Sequence, residues 1–205
     1  MLIIAGALLA IALVPVAGGR LRGLAEVRLV GVWLLVLALA LQVLVISVLP
    51  EWPRPLLEAV HISTYLLAAV FAWRNRRVPG VAIIALGGAL NGITIVANGG
   101  VLPASAAALR RAGIAHSPTE FINAGVLPHP RLPWLGDIFA VPASWPLANA
   151  FSVGDLLVLL GVAYGAHRIC GSALGRWPRG RPAGEHGGTP ADEAAPIGAS
   201  QLANR

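Results

Sequence analysis

Five stretches of this chain are almost purely apolar. They cover residues 2–17, 29–49, 56–73, 78–97 and 151–169. Each approaches the length of about 20 residues with which a helix crosses the hydrocarbon core of a bilayer. Only 12% of the 205 residues are charged, against about 25% in ordinary soluble domains. The pattern therefore predicts an all-α integral membrane bundle of five transmembrane helices, placed as a multi-pass protein in the cell membrane.

Arginines give the predicted bundle a direction. They concentrate in the connections that follow the first, third and fifth runs, as Arg20, Arg22, Arg28, Arg74, Arg76, Arg77, Arg168, Arg176, Arg179 and Arg181. Basic residues favour cytoplasmic connections, so we expect the N-terminus outside and the C-terminus inside. Because these arginines cluster at the ends of apolar runs, they indicate membrane topology and not a nucleic-acid surface. The partner that the pattern implies is the lipid bilayer.

The remaining residues fall into two parts. We expect a five-helix transmembrane domain over residues 1–174, with a long, ordered external segment over 99–150 that forms a lid. Within the lid, Ser105 is placed to cap a short helix over 106–112 that ends at Gly113. The last part, residues 175–205, is rich in Gly, Pro and Ala and is typical of a disordered cytoplasmic tail.

The fourth run carries an unusual polar line. Asn91, Thr94 and Asn98 lie on nearly one helix face, and Asn98 is followed by Gly99 and Gly100. Asn and Gly tolerate the left-handed conformation that ends a helix, which accounts for Asn98 but leaves Asn91 unexplained. Two steps of small residues predict close helix contacts, namely Gly88 with Gly92 and Gly161 with Gly165.

Polar residues of three helices are expected in one layer near the outer surface. With the predicted directions, Glu58 and His61 of the third helix and Ser152 and Asp155 of the fifth lie at the same depth as Asn98. Ionisable residues within membrane helices usually face the bundle interior or a water-filled cavity. We therefore take Glu58, His61 and Asp155 as candidate catalytic residues, with Asn91, Asn98, Gly99, Gly100 and Ser152 as candidate binding residues. The alternative is structural, because carboxylates near a helix start are favoured as caps or by the helix dipole.

A metal site is not predicted. Glu58 and His61 have the i, i+3 spacing with which one helix can hold an ion, and either Asp155 or the lid residues Asp137 and His129 could join them. However, the chain has no second histidine motif and only one cysteine, Cys170. The sequence indicates no particular cofactor.

Three short motifs carry a resemblance to a known family. The first is Asn-Gly-Gly-x-x-Pro, at Asn98, Gly99, Gly100 and Pro103. The second is Leu-Gly-Asp-Ile, at Leu135, Gly136, Asp137 and Ile138. The third is Phe-Ser-x-Gly-Asp, at Phe151, Ser152, Gly154 and Asp155. In these the chain resembles a bacterial family of small multispanning membrane proteins of unknown function, DUF5317, from the first helix through the fifth. Leu102 stands where that family is expected to have methionine, a substitution that conserves volume. The resemblance implies that Asp137 belongs to the same binding site as Asn98 and Asp155.

Two classes of function follow from this pattern, and neither identifies the protein as an enzyme. In the first, the outer-leaflet site binds or processes a small or lipidic molecule. In the second, the protein is an accessory or structural subunit of a membrane complex, and the polar layer serves helix packing against a membrane-protein partner. Transport is a third alternative, disfavoured because Gln42 and Asn91 are the polar residues near the midplane. A cavity lined by the polar residues would favour the first class, and tight side-chain pairing would favour the second.

Overall fold

The computed structural model describes residues 2–48, 52–114 and 124–175 of the chain. Within them the protein is mostly helical, with seven α-helices and four short strands. The helices are α1 (Leu2–Val16), α2 (Arg22–Ala25), α3 (Val32–Val43), α4 (Arg54–Arg74), α5 (Val81–Ala97), α6 (Ala106–Ala112) and α7 (Val153–Ile169). A π-helical turn, Leu44–Val48, continues α3. The strands are β1 (Leu102–Pro103), β2 (Ala124–Gly125), β3 (Phe139–Val141) and β4 (Asn149–Phe151).

The five longest helices pack in the order α3, α4, α5, α7, α1. The first four helices in this order run antiparallel to their neighbours. Val30 before α3 bonds to Asn75 after α4, and Gln42 near the end of α3 bonds to Thr64 further back in α4. Likewise, Gly80 before α5 lies against Gly161 of α7, whereas Gly87 within α5 lies against Gly154 at the start of α7. The last pair is parallel, because the connection after α1 bonds to the end of α7, where the Arg20 N–H donates to the Cys170 carbonyl at 2.9 Å. The ends of α1, α4 and α7 therefore lie with the starts of α3 and α5. We call this side, which carries Arg20, Arg22, Arg74, Arg76, Arg77 and Arg168, the arginine end.

Glycines allow α5 and α7 to approach closely. A Cβ on Gly87 would collide with the backbone oxygen of Gly154, and a Cβ on Gly161 would lie 2.8 Å from the backbone nitrogen of Ile84. The predicted step at Gly161 and Gly165 is a true helix contact, since Gly165 packs on the carbonyl of Pro79. Of the other predicted step, Gly92 makes a close contact with the Tyr65 ring of α4, but the prediction for Gly88 was wrong, because Gly88 faces open space among the described residues. Its neighbour Gly87 makes the contact, one position round the helix.

The predicted helix bounds need small corrections with clear physical causes. The second predicted run begins at Val32, because Gly31 with its positive φ of 76° interrupts the backbone before it. The fourth begins at Val81, after Gly80 with φ of 86°. The fifth begins at Val153, because Phe151 pairs as part of β4 and Ser152 caps the helix. Short helix α6 and its left-handed end at Gly113 are as predicted, but the Ser105 side chain makes no capping hydrogen bond.

The segment between α5 and α7 contains strands, so a purely all-α fold was too simple. Strand β1 pairs in parallel with β2, and β3 pairs antiparallel with β4. Phe139 and Phe151 face each other across the second pair with ring centroids 5.4 Å apart. We call residues 99–150 the outer segment. Its stretch 115–123, and the predicted tail from residue 176 onward, lie outside the described residues.

One helix of the described chain is long and apolar enough to cross a membrane by length and composition, over Pro55–Arg74. Three further helices are apolar but shorter, namely Leu2–Val16, Val32–Val43 and Val81–Ala97.

Candidate functional site

Asn91, Ser152 and Asp155 form a closed hydrogen-bonded group between α5 and α7. The Asn91 amide nitrogen donates to Asp155 Oδ1 at 3.0 Å, and the Ser152 hydroxyl donates to the Asn91 amide oxygen at 2.9 Å. Ser152 and Asp155 also form a reciprocal capping box, because the Asp155 N–H donates to Ser152 Oγ and the Ser152 N–H donates to Asp155 Oδ2, each at 3.0 Å. The sequence-predicted residues Asn91, Ser152 and Asp155 thus meet at the start of α7. Both carboxylate oxygens of Asp155 are engaged in holding it.

Asn98 joins α5 to the outer segment. Its amide oxygen accepts from the Arg131 N–H at 2.7 Å, and its amide nitrogen donates to the Arg131 carbonyl at 2.8 Å. The same nitrogen donates to the Thr94 carbonyl, one turn back in α5. Asn98 therefore ends the helix, as predicted, and in addition it holds the backbone of a residue 33 positions away.

Gly99 and Gly100 close the end of α5 as a Schellman motif. The Gly100 N–H donates to the Ile95 carbonyl and the Gly99 N–H to the Val96 carbonyl, with φ values of 97° and 67°. Glu58 of α4 lies against this turn, since a Cβ on Gly100 would come within 2.7 Å of Glu58 Cγ. Glycine is needed at position 100 both for its conformation and for space. Glu58 is half-buried at the end of the bundle opposite the arginine end.

Asp137 is the buried carboxyl of the outer segment, with only 8% of its surface exposed. Its backbone is fixed, because its N–H donates to the Pro103 carbonyl at 2.9 Å and its carbonyl accepts from the Ser105 N–H at 3.0 Å. Its side-chain atom Oδ1 is buried without a hydrogen-bond partner in the part of the chain that the structure describes. Burial, and secondly the negative charge of Asp155, raise the pKa of Asp137 from its ordinary value of 3.8 to about 7.

His61 belongs to a different polar group, on the side of α4 that faces α3. Its ring atom Nδ1 lies 3.0 Å from the Gln42 amide oxygen, and the Gln42 nitrogen donates to Thr64 Oγ1 at 2.9 Å. The Thr64 hydroxyl donates in turn to the His61 carbonyl. Since the Gln42 oxygen can only accept, this chain of bonds makes Nδ1 the protonated nitrogen of the His61 ring.

Tyr65 lies between the two polar groups. Its ring meets His61 edge to face at a centroid distance of 5.5 Å, and it packs against Gly92 of α5. It is also close enough to Asp155 and Asp137 to interact electrostatically with both. The predicted face of α4 is therefore shared, with His61 and Thr64 directed to α3 and Tyr65 directed to Gly92 of α5.

The described residues contain no group of three or more His, Cys, Asp or Glu side chains that could hold a metal ion. Glu58, His61 and Asp155 thus do not combine into such a cluster there. A cavity of about 420 Å³ lies on the outer segment beside Pro103, Ser105 and Trp134, but Asp137 does not line it. In the extended chain, Asp137 points inward and its neighbour Ile138 outward.

Sequence reasoning missed Asn75, which repeats the role of Asn98 at the arginine end. Asn75 follows α4, its amide oxygen accepts from the Val30 N–H at 2.8 Å, and its nitrogen donates to the Val30 carbonyl at 2.9 Å. The same nitrogen donates to the Phe71 carbonyl of α4. The sequence contains a signal for this role, because Asn75 follows a long apolar run almost directly, as Asn98 does. The neighbouring Arg74 and Arg76 were interpreted only as topology signals, and Asn75 between them was not considered.

These features define a helical bundle that carries an asparagine-held segment at the end opposite the arginine end, with a buried carboxyl, Asp137, that interacts electrostatically with half-buried Asp155. The chain belongs to the family described as a family of unknown function, DUF5317, whose model matches residues 26–165. It is also similar to an uncharacterized protein of Thermotoga maritima, with 28% identity over 150 residues, which cover 73% of this chain and 82% of the relative. No solved structure matches the chain.

Proposed function

We propose that the protein is a multi-pass protein of the cell membrane in which α1, α3 with its π-helical turn, α4, α5 and α7 are five spans. The support comes from large apolar side chains that stand exposed on every one of these helices. Examples are Ile4, Leu8, Leu9, Val36, Leu39, Leu66, Val70, Leu86, Ile93, Leu156 and Leu160. In water such an apolar belt would be strongly unfavourable, whereas lipid tails would cover it at no cost.

The orientation that we propose has the N-terminus and the outer segment outside, and the arginine end inside. Support comes from the helix directions, which gather the arginine-rich connections at one end and the outer segment at the other. In this arrangement residues 1–174 form the membrane domain and residues 175–205 a cytoplasmic tail.

Cysteine labelling tests this topology. In a Cys170→Ser background, Ser144→Cys of the outer segment should react in intact cells with an impermeant thiol reagent, whereas Leu174→Cys at the arginine end should react only after the cells are opened. Both positions are exposed in the fold, so accessibility differs only by the side of the membrane. Labelling of Leu174→Cys in intact cells would contradict the orientation.

Within this bundle, we infer that the protein binds or processes a small or lipidic molecule at the outer leaflet, with Asp137 as the contacting group. The observation that carries the proposal is the buried Asp137 Oδ1, which has no hydrogen-bond partner among the described residues. A buried polar atom without a partner costs about 1–3 kcal/mol. A fold that keeps such an atom beside a second carboxyl is destabilised by it, and a ligand that bonds to this oxygen would remove the cost.

The residues around Asp137 have supporting roles in this proposal. Asp155, held in place by Asn91 and Ser152, supplies the neighbouring charge, and Asn98 holds the outer segment in place over the bundle. With a pKa of about 7, Asp137 can donate a hydrogen bond when protonated and accept one when ionised. Such a group is suited to acid–base exchange with a bound molecule near neutral pH.

Complementation tests the binding role of Asp137. In a strain lacking the gene and showing a growth or envelope phenotype, Asp137→Asn should fail to restore the wild-type phenotype at matched protein level, whereas Ile138→Val should restore it. Ile138 is the neighbouring outward-facing residue and controls for disturbance of the segment. Full rescue by Asp137→Asn would contradict a role for the carboxyl.

Carbodiimide labelling provides a chemical test of the same site. Dicyclohexylcarbodiimide forms an adduct with protonated carboxyl groups in apolar surroundings, so peptide mass spectrometry should find it on Asp137 at pH 6 and much less at pH 8.5. Glu26, which is exposed at the arginine end, serves as the internal control and should remain unlabelled. Equal labelling of Asp137 at both pH values would contradict a protonatable site.

The accessory-subunit function is the second candidate, and two observations favour it. The cavity on the outer segment is not lined by Asp137, Asn98 or Asp155. Asn91, Ser152 and Asp155 satisfy one another so completely that they serve the contact between α5 and α7. If Asp137→Asn retains full function while variants of the exposed helix faces lose it, the second candidate replaces the first.

A further inference from the structure

We infer that the arginine end contains a binding site for the phosphate of an anionic phospholipid. The site is a cavity of about 700 Å³ between the connection that follows α1 and the end of α7, lined among others by Arg20, Arg22, Gly23, Glu26, Cys170 and Gly171. The inference uses the proposed membrane insertion, and it is independent of the proposed role of Asp137.

Charge indicates the class of ligand. Two arginines, Arg20 and Arg22, line the cavity, and Glu26 is the one acidic residue among the described residues of its lining. A guanidinium group binds the oxygens of a phosphate with paired, charge-assisted hydrogen bonds. Glu26 occupies one of these groups, with Arg22 Nε 3.3 Å from Glu26 Oε1, but the side chains are 89% and 67% exposed. An exposed pair of this kind contributes little stability, so a phosphate can displace the Glu26 carboxylate from Arg22.

The cavity is a built feature of the fold. Its two sides are joined by backbone hydrogen bonds at 2.9 Å, from the Arg20 N–H to the Cys170 carbonyl and from the Ala173 N–H to the Ala17 carbonyl. Gly23 lies directly against the end of α7, where a Cβ would come within 2.9 Å of the Ile169 carbonyl. The backbone carrying Arg20 and Arg22 is therefore fixed relative to α7.

The surroundings favour a lipid over a free phosphate ion. Large apolar side chains are exposed before, between and after these arginines in the chain, at Val16, Leu21 and Leu29. A phospholipid would place its phosphate between the arginines and its acyl chains along these residues. In the proposed orientation the cavity faces the inner leaflet, where anionic lipids attract basic residues close to membrane helices.

Thermal unfolding of the full-length protein in a neutral detergent tests the site. Phosphatidylglycerol should raise the unfolding temperature of the wild type, and phosphatidylcholine should raise it much less. Arg20→Gln and Arg22→Gln should each weaken the phosphatidylglycerol effect by about tenfold in concentration, corresponding to loss of a charge-assisted hydrogen bond. Arg28→Gln is the matched control, because Arg28 is exposed in the same connection and does not line the cavity. Glu26→Gln should strengthen the effect.

Three results would overturn the inference. One is an equal response of Arg20→Gln, Arg22→Gln and Arg28→Gln to the lipid, which would indicate general charge attraction. The second is an equal response to phosphatidylcholine. The third is equal stabilisation by inorganic phosphate at the same concentration, which would make free phosphate the ligand. Cysteine labelling reports the membrane topology separately. If phosphatidylglycerol does not raise the unfolding temperature of the wild type while the labelling agrees with the proposed topology, this inference fails and the proposed topology stands.

Discussion

Replacing Asp137 with asparagine should stabilise the protein at alkaline pH. The folded chain keeps the Asp137 carboxyl buried at 8% exposure and close to the charge of Asp155, and its pKa is about 7 against an ordinary value of 3.8. The folded carboxyl therefore binds a proton between about pH 4 and pH 7, where the same group in the unfolded chain has lost it. By linkage, the free energy of unfolding falls as the pH rises through this window and stays low above it.

The size of the effect follows from the two pKa values. At about 1.36 kcal/mol for each pKa unit, the difference between 3.8 and about 7 corresponds to roughly 4 kcal/mol. Asparagine has nearly the same shape and does not titrate in this range. Asp137→Asn should therefore match the wild type near pH 4 and exceed its free energy of unfolding at pH 8, by up to roughly 4 kcal/mol.

The assay is denaturant unfolding of the purified protein in a neutral detergent at pH 4, 5, 6, 7 and 8, comparing the wild type with Asp137→Asn. Other titrating groups contribute to both proteins, so the difference between the two curves isolates Asp137. Asp155→Asn serves as a second comparison, because loss of its charge should move the wild-type transition to lower pH. Parallel curves for the wild type and Asp137→Asn between pH 4 and pH 8 would refute the reasoning.

Three further predictions concern the contacts that build the bundle. Gly87→Ala should lower the unfolding temperature, because the added Cβ would collide with the backbone of α7. Gly88→Ala, at the neighbouring position, should leave the unfolding temperature unchanged or raise it slightly. Equal effects of the two variants would contradict the helix contact. Asn98→Ala should increase amide hydrogen exchange at Arg131 and around it, with a cost of about 1–3 kcal/mol, and unchanged exchange there would show that other contacts hold the outer segment. Asp155→Asn should preserve folding at neutral pH, as measured by circular dichroism. Loss of one accepted hydrogen bond is opposed by relief of the charge repulsion between Asp155 and Asp137. An unfolded variant would contradict this balance.

Local signals in the sequence predicted the helices and several of their ends. The apolar runs correspond to α1, α3, α4, α5 and α7, and the Asn-Gly-Gly stop at Asn98 ends α5. These features depend on residues within one or two helical turns, which a single sequence displays directly. The strands of the outer segment were not predicted, because pairs of two or three residues leave no periodic pattern.

The partners of each polar residue could not be predicted in the same way. The spacing of Glu58, His61, Thr64 and Tyr65 predicts one face of α4, and the arginine pattern predicts its direction. Neither gives the rotation of α4 about its own axis relative to its neighbours. That rotation directs His61 to Gln42 of α3 and Tyr65 to Gly92 of α5, and it is determined by packing between residues far apart in the chain.

The polar groups of the bundle differ in how far their hydrogen bonds are satisfied, and our proposal for the functional residue is based on this difference. Asn75 and Asn98 use both ends of their amides to hold backbone, and Asn91 and Asp155 bond to each other. A structural role accounts for these groups, because each forms hydrogen bonds that offset the free-energy cost of burying the polar group it contacts. Asp137 differs, since its buried oxygen lacks a hydrogen-bond partner in the described chain and its ionisation opposes folding. A buried carboxyl whose ionisation opposes folding is where we expect a ligand to act.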